Sequence, residues 1–191
     1  MYPGEHAKLR PDQPAIIMAT SGEVVTYAQL ERRSNKLAHL LRANGLRRLD
    51  HYAVFMENNA RYAECCAAGE RTGLYYTCIN SFLTPDEVAY IVNNSESQIL
   101  ITSEAKRPMA LTALQQCPNV QLCLVTDGSG DSDAVRNLDE ATRRHFLRRR
   151  SPMRRLATRC FIRPARLAGR RACCDRYRIS RPRSDCRSTI S

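Results

Sequence analysis

The C-terminal block of arginine limits what this chain can fold into. Residues 141–191 hold 17 arginines, no lysine and two acidic residues, which gives the block a net charge of +15. Residues 1–140, called the body below, carry 13 basic and 17 acidic side chains, so the whole-chain charge of +11 describes neither part. Isolated apolar residues, three prolines and like-charge repulsion oppose compaction of the block. We therefore predict one folded domain over residues 1–140 and a disordered basic tail over residues 141–191.

Several classes of protein are excluded by composition and by the first residues. No stretch is long and apolar enough to cross a bilayer, and residues 1–10 lack the apolar run of a secretory signal. We therefore expect a cytoplasmic location. The nine cysteines include no C-x2-4-C pair, the spacing with which two thiolates grip one zinc ion. Reduced, partly buried thiols are expected rather than a metal site or structural disulfides.

Helix and strand signals alternate along the body. Thr26 and Gln29 have the spacing of a capping box, and Thr84, Pro85 and Glu87 form a second helix start with proline in the first turn. This alternation is typical of an α/β fold, with a mostly parallel sheet between helices. Strands are predicted at residues 15–18, 52–56, 74–79, 99–102 and 120–125, and helices at residues 26–45, 60–71, 84–93 and 106–116.

No local motif in the body names a chemistry. It has no G-x-G-x-x-G, no phosphate-loop lysine, no H-E-x-x-H and no G-x-S-x-G. The histidines are scattered, and the acidic pair Asp86-Glu87 is explained by the positive end of a helix dipole. The turn Asp127-Gly128-Ser129-Gly130 could cradle a phosphate, although a polar surface turn is the simpler interpretation. We assign no catalytic, cofactor-binding or metal-binding residue.

An ordered series of short motifs runs along the body over about residues 12–127. It consists of Gly22, Thr26-Tyr27, Leu30, Ser34-Asn35, Leu37-Ala38, Leu41, Gly45, Asp50, Val54, Asn58, Ala67-Ala68, Arg71, Gly73 to Thr77, Ile79-Asn80, Leu83 to Pro85, Glu87, Ala89 to Ile91 and Asn93. This series resembles the acyl-adenylate-forming (AMP-binding) superfamily, and most closely its fatty-acyl-CoA synthetase branch. Leu49 departs from the pattern, because it stands where the family usually has glycine.

The resemblance implies a ligase that joins a fatty acid to ATP and then passes the acyl group from AMP to coenzyme A. It also implies that the phosphate loop, a magnesium-binding glutamate, a ribose-binding aspartate and a mobile lysine all follow the matched region. The chain then resembles the N-terminal portion of such an enzyme, truncated and inactive as written. ATP, Mg²⁺ and coenzyme A belong to the intact family enzyme, and we expect no cofactor for this chain. As the first layer of a larger domain, its sheet is expected to expose one edge and one face.

The basic tail has a specific explanation at the level of codons. When the codons from Phe161 to Ala172 are read one nucleotide earlier, they permit Tyr-Ser-Ser-Gly-Thr-Thr-Gly-Arg-Pro-Lys-Gly, the phosphate loop typical of this branch. The shifted frame can be carried back to about Thr142. Out-of-frame translation of GC-rich DNA also yields arginine without lysine. We interpret the tail as a frameshifted segment.

A different class of function remains open. A small α/β protein could use the arginine-rich tail to bind RNA or an anionic surface, since arginine-rich arms can fold on RNA. A basic segment selected for phosphate contacts more usually mixes lysine with arginine. Nucleic-acid binding through the tail is otherwise expected to be non-specific.

Overall fold

The computed structural model describes residues 3–128 and 134–150, with the side chains of residues 148–150 left out. Within these residues the chain forms six helices and seven strands. They are α1 (Pro3–Leu9), β1 (Pro14–Ile17), β2 (Val24–Thr26), α2 (Tyr27–Ala43), β3 (His51–Phe55), α3 (Ala60–Thr72), β4 (Tyr75–Ile79), α4 (Pro85–Asn94), β5 (Ile99–Ser103), α5 (Arg107–Leu114), β6 (Leu122–Thr126), β7 (Val135–Asn137) and α6 (Leu138–Arg150).

A five-stranded sheet forms the centre of the fold. Its order is β4-β3-β5-β6-β7 and every pairing is parallel, while β1 and β2 form a separate antiparallel pair. The side chains of successive strand residues point to opposite faces, and each face has its own apolar cluster. The predicted α/β class with a mostly parallel sheet is confirmed.

Helices cover both faces of this sheet, contrary to the prediction of one exposed face. Leu37 and Leu41 of α2, Cys65 of α3 and Leu138 of α6 pack on one face, and Val88 of α4 and Ala110 of α5 belong to the cluster on the other. The prediction failed because α6, which supplies part of the first cover, begins at the end of the body and continues into the arginine block.

The predicted helix starts are confirmed in detail. The Gln29 amide N–H donates to Thr26 Oγ1 at 3.3 Å, and the Thr26 amide N–H donates to Gln29 Oε1 at 3.1 Å. At α4, one Glu87 carboxylate oxygen accepts from both the amide N–H and the hydroxyl of Thr84, each at 2.8 Å. These bonds lower the pKa of Glu87, as expected for a carboxylate that caps a helix start.

Strand β4 lies at one edge of the five-stranded sheet. Tyr75 and Cys78 of this strand are exposed, and Phe82 in the loop that follows is 89% exposed. The strand carries no charged side chain, the usual protection of an open edge. This edge is therefore the part of the described sheet best suited to further pairing.

Leu49 adopts a backbone conformation that glycine accommodates more easily than leucine does. Its φ is 76°, in the left-handed region that costs an L-residue about 1–2 kcal/mol. Its amide N–H donates to the Gly73 carbonyl at 2.8 Å, which fixes this turn between α2 and β3. The departure noted in the sequence is thus a strained position.

Replacing Leu49 by glycine is expected to raise the free energy of unfolding by about 1 kcal/mol, because glycine relieves the strain. The Leu49 side chain is 51% exposed, so little apolar burial is lost. Urea denaturation followed by circular dichroism measures the change. Leu49→Ala is the matched control, since it removes the side chain and keeps the strained φ; an equal gain in both variants would contradict the explanation.

Four elements were not predicted: α1, β2, β7 and α6. Residues 141–150 were assigned to the disordered tail, but they continue α6. Asn137 Oδ1 accepts from the Glu140 amide N–H at 2.8 Å at the helix start, and Thr142 Oγ1 donates to the Leu138 carbonyl at 2.7 Å. With Leu138 and Ala141 in the core, packing keeps this arginine-rich helix in place. The prediction of disorder for residues 151–191 lies outside the described residues.

None of the helices in the described part of the chain has the length and apolar character needed to cross a membrane.

Candidate functional site at the carboxyl edge of the sheet

The carboxyl ends of the parallel strands form the candidate site. Strand β3 is followed through α3 by β4 on one side, whereas β5 lies on its other side and leads to β6. The chain therefore changes direction between β3 and β5, and ligands of open α/β sheets bind at such a switch point. We call the residues that follow β3, β5 and β6 the carboxyl edge.

A hydrogen-bonded group lies directly at the switch point. Ser103 Oγ at the end of β5 donates to Glu57 Oε2 after β3, and Asn59 Nδ2 donates to Glu57 Oε1 at 3.3 Å. Burial opposes ionisation of Glu57, but the hydrogen bonds, with Ser103 the strongest, outweigh it and lower the pKa of this carboxyl. Glu57 is therefore a fixed anionic acceptor at neutral pH and not a proton donor.

Lys106 extends this group toward the exposed loop after β4. Its amide N–H donates to Ser103 Oγ at 3.3 Å, and its ammonium nitrogen lies 5.6 Å from the centre of the Phe82 ring. This distance is typical of a cation–π contact. The Lys106 ammonium group and the exposed Phe82 ring thus lie next to each other beside the switch point.

A second polar group surrounds Arg61 at the start of α3. Its side chain is 9% exposed and that of Glu64 is 6% exposed, and Arg61 Nη1 lies 3.0 Å from Glu64 Oε2. Arg61 also pairs with Asp139 of α6, and its Nε lies 3.8 Å from Asp127 Oδ1 after β6. Burial raises the pKa of Glu64 although Arg61 opposes this, and the acids around Arg61 raise its pKa against the effect of burial. The group joins α3, β6 and α6 electrostatically.

The motif residues Ser34, Asn35 and Arg71 form a third group, which joins α2 to α3. Arg71 donates to both carboxylate oxygens of Glu31, at 3.0 and 2.6 Å, and to Asn35 Oδ1 and Ser34 Oγ at 2.5 and 3.0 Å. The hydrogen bond from Arg71 is the main cause of the lowered pKa of Glu31. A forked guanidinium–carboxylate contact of this kind fixes orientation. These matched residues therefore hold the fold together.

The histidines have packing roles in the structure. His6 stacks on Tyr27 with ring centres 4.8 Å apart, His51 lies 5.0 Å from Tyr75, and His39 meets Phe146 edge-on at 5.8 Å. The described cysteines are free thiols. Burial raises the pKa of Cys66 and Cys123 to about 12, so neither is a thiolate at neutral pH.

The acidic pair Asp86-Glu87 and the turn that begins at Asp127 both have structural roles in the described residues. Glu87 caps α4, and Asp86 accepts a hydrogen bond from Gln116 Nε2 at 2.7 Å, so both have structural partners. Asp127 has a φ of 60°, as in a tight turn, whereas Ser129 and Gly130 lie outside the described residues. Residues 3–128 and 134–150 contain no group of three or more side chains placed to hold a metal ion.

Comparison with known proteins assigns the chain to a family. A family model described as AMP-binding enzyme matches residues 4–161, which is most of the chain. The chain belongs to the AMP-binding enzyme family. The resemblance seen in the short motifs is thereby confirmed.

Relatives of this family member include acyl ligases. It is 32% identical over 130 residues to the 3-oxocholest-4-en-26-oate–CoA ligase of Rhodococcus rhodochrous, with 68% of this chain and 23% of the relative covered. It is 32% identical over 104 residues to the fatty acid–[acyl-carrier-protein] ligase ScoC of Streptomyces coeruleorubidus, with 54% and 20% covered. The chain therefore spans between a fifth and a quarter of the length of these curated relatives.

The fold recurs within solved structures of longer chains. A natural red emitting luciferase from Phrixothrix hirtus superimposes with a TM-score of 0.68 at 24% identity, and the match covers 75% of this chain and 35% of the luciferase. At this identity the likeness establishes the fold. The AMP-binding family member thus has the fold of one part of a larger chain.

The carboxyl-edge groups were missed by the sequence analysis. Their members lie far apart along the chain: Glu57 and Ser103 are separated by 46 positions. A usable signal was present, because polar residues follow directly after the apolar runs that end at Met56 and Thr102. The carboxyl ends of parallel strands meet at one edge, so those residues could have been grouped.

Proposed function

We propose that this chain is the N-terminal part of an acyl-adenylate-forming ligase for fatty acids, and that it does not turn over substrate on its own. One observation supports the proposal: the family match runs to residue 161, and the codons that follow permit the next expected feature, the phosphate loop, when they are read one nucleotide earlier. The relatives support the reaction class, because their names describe ligases that join an acid to coenzyme A or to a carrier protein. A cytoplasmic location remains a prediction.

The described residues supply the frame of such an enzyme and not its reacting groups. Glu57 and Arg61 are already paired with neighbouring side chains at the carboxyl edge. ATP and Mg²⁺ need converging cations and free carboxylate oxygens. The carboxylates at this edge are not free for Mg²⁺, because Glu57 accepts from Ser103 and Asn59, and Glu64 and Asp139 pair with Arg61. We assign the binding of ATP, Mg²⁺ and coenzyme A to the rest of the intact enzyme.

The role of this part is to position the switch point. Arg71 locks α2 to α3, and the Glu57–Ser103 contact fixes the ends of β3 and β5 relative to each other. A rigid edge of this kind gives later segments a fixed surface on which to build a site. The open edge at β4 allows the sheet to continue.

The test is ATP–pyrophosphate exchange with a series of fatty acids, on two purified chains. The chain as it stands is expected to give no exchange above a blank. A gene with a single-base correction before codon 142 is expected to give a longer open frame and fatty-acid-dependent exchange. The control is the corrected chain with the phosphate-loop lysine replaced by alanine, which should lose exchange.

Two outcomes would contradict this proposal. Exchange by the uncorrected chain would show that it is active without the loop. A nucleotide sequence in which the shifted frame does not encode the loop, or closes before the codon for Ser191, would remove the frameshift.

Binding of RNA or an anionic surface is the second candidate, and the 17 arginines of residues 141–191 favour it. Affinity would then fall steeply with salt, because each phosphate contact releases a counterion. RNA binding that survives deletion of residues 141–191 would contradict a role of the tail. Binding to one RNA much more tightly than to others would separate this function from simple stickiness.

A further inference from the structure

A cavity with a strong positive charge lies between α2, α3 and α6, and it is called the cationic cavity below. Its volume is about 480 Å³, within the range of small-molecule sites. It is lined on one side by Phe146 and Leu147 of α6. The charged side chains around it are Arg32, Arg33, Lys36, Arg61, Arg143, Glu64 and Asp139.

The cations of this cavity outnumber its acids, and most form no direct ion pair, although Arg33 lies close enough to Glu64 to lower the pKa of that carboxyl. Both acids are engaged by the buried Arg61. Among the described residues, Arg32, Arg33, Lys36 and Arg143 form no ion pair. Like charges gathered around one concave surface repel each other, and a multivalent anion relieves that repulsion.

Arg61 adds an unused hydrogen-bond donor. Its Nε is buried and makes no hydrogen bond, since the nearest carboxylate oxygen, on Asp127, is 3.8 Å away. This Nε faces Asp127, which does not line the cationic cavity, while the rest of the guanidinium pairs with Glu64 and Asp139. The cavity thus combines surface cations that form no ion pair with the buried, paired guanidinium group of Arg61 in its wall.

The apolar wall narrows the class of ligand. Phe146 is partly buried and held edge-on by His39, while Leu147 is 59% exposed. An inorganic anion would leave this wall in water, whereas an aromatic or aliphatic group attached to a phosphate would cover it.

We propose that the cationic cavity binds a phosphate ester with an apolar group, with the phosphate between Arg33, Lys36 and Arg143 and the apolar group on Phe146 and Leu147. This site is separate from the ligase reaction proposed above, and it belongs to this chain and not to the frame-corrected enzyme, because Arg143, Phe146 and Leu147 lie in the segment whose frame the correction changes. It requires neither the phosphate loop nor residues 151–191.

Binding is tested by calorimetric titration of the full-length chain with phenyl phosphate at low ionic strength. The Arg33→Gln/Lys36→Gln variant is expected to bind at least about tenfold more weakly, because two charge-assisted contacts are lost. Neither residue forms an ion pair in the described part of the chain, so the fold should be kept, which circular dichroism checks. The matched control is Arg154→Gln/Arg155→Gln, which removes the same charge outside the described residues and should leave affinity unchanged.

The outcomes separate the cavity from general attraction to the arginines. Equal weakening in both variants, or no saturable binding below about 10 mM, would overturn the proposal. Inorganic phosphate should bind more weakly than phenyl phosphate, and equal affinities would overturn the role of Phe146 and Leu147. These results do not depend on ATP–pyrophosphate exchange, so a failure here is distinct from a failure of the ligase proposal.

Discussion

Replacing Arg61 by methionine is expected to lower the free energy of unfolding by about 3 kcal/mol, because it leaves Glu64 buried without its main cationic partner. The two side chains are 9% and 6% exposed and their charged atoms are 3.0 Å apart. This loss of about 3 kcal/mol lies at the lower end of the range for breaking a buried ion pair. The other partners of Arg61, Asp127 and Asp139, are more than half exposed, so solvent screens their contacts and their loss adds little. Urea denaturation at neutral pH measures the loss.

The free energy of unfolding lost in Arg61→Met should increase with pH, because the raised pKa of Glu64 determines when this carboxyl becomes charged. Burial raises this pKa in the folded state, so the penalty from Glu64 is absent below its unfolded pKa and develops as pH rises through the folded value. Arg61 opposes the rise, and its removal therefore raises the pKa further. The variant should be destabilised less near pH 5 than near pH 8.

A double variant provides the control. Arg61→Met/Glu64→Leu removes both charges and leaves an apolar pair of similar volume, which is often as stable as a buried ion pair. It should recover most of the lost free energy and lose the pH dependence. A loss that is equal at both pH values and persists in the double variant would show that packing around Arg61, and not its charge, is decisive.

The local signals that predicted the helices are those that act over three or four residues. The reciprocal bonds of Thr26 and Gln29 and the left-handed cap at Gly73 are written directly in the sequence. Helix α6 was missed because its many arginines obscure the helical spacing of the few apolar residues, among them Leu138 and Ala141, that pack on the core. Strand β7 has three partly buried residues and no alternating pattern.

The candidate site depends on topology, which the sequence did not predict. The order β4-β3-β5-β6-β7 decides that Glu57 meets Ser103 and that Arg61 meets Asp139. Family resemblance did include Ser34, Asn35 and Arg71 among its matched residues, and the structure adds that they hold two helices together. A matched motif therefore located an interface of the fold and not a reacting group.

Replacing Gly69 by alanine is expected to lower the free energy of unfolding by about 2 kcal/mol, although alanine is the better helix former by about 1 kcal/mol. A Cβ at this position would lie 2.6 Å from Tyr52 Oη and 2.6 Å from Tyr76 Cδ1. Tyr76 is partly exposed and can turn aside. Tyr52 is fully buried, and its hydroxyl donates to the Cys65 carbonyl at 2.6 Å, so movement there breaks a buried hydrogen bond.

The same substitution in a Tyr52→Phe background tests this cause. The phenylalanine ring lacks the oxygen that the new methyl group meets, so the cost of Gly69→Ala should fall by about 1 kcal/mol in a double-mutant cycle. Chemical denaturation of the four chains measures the coupling. A stabilising Gly69→Ala would mean that both tyrosines yield freely and that helix propensity decides, whereas additive changes would place the clash on Tyr76 alone. The expected coupling follows from the close approach of α3 to β3, which a glycine at position 69 permits and any larger residue restricts.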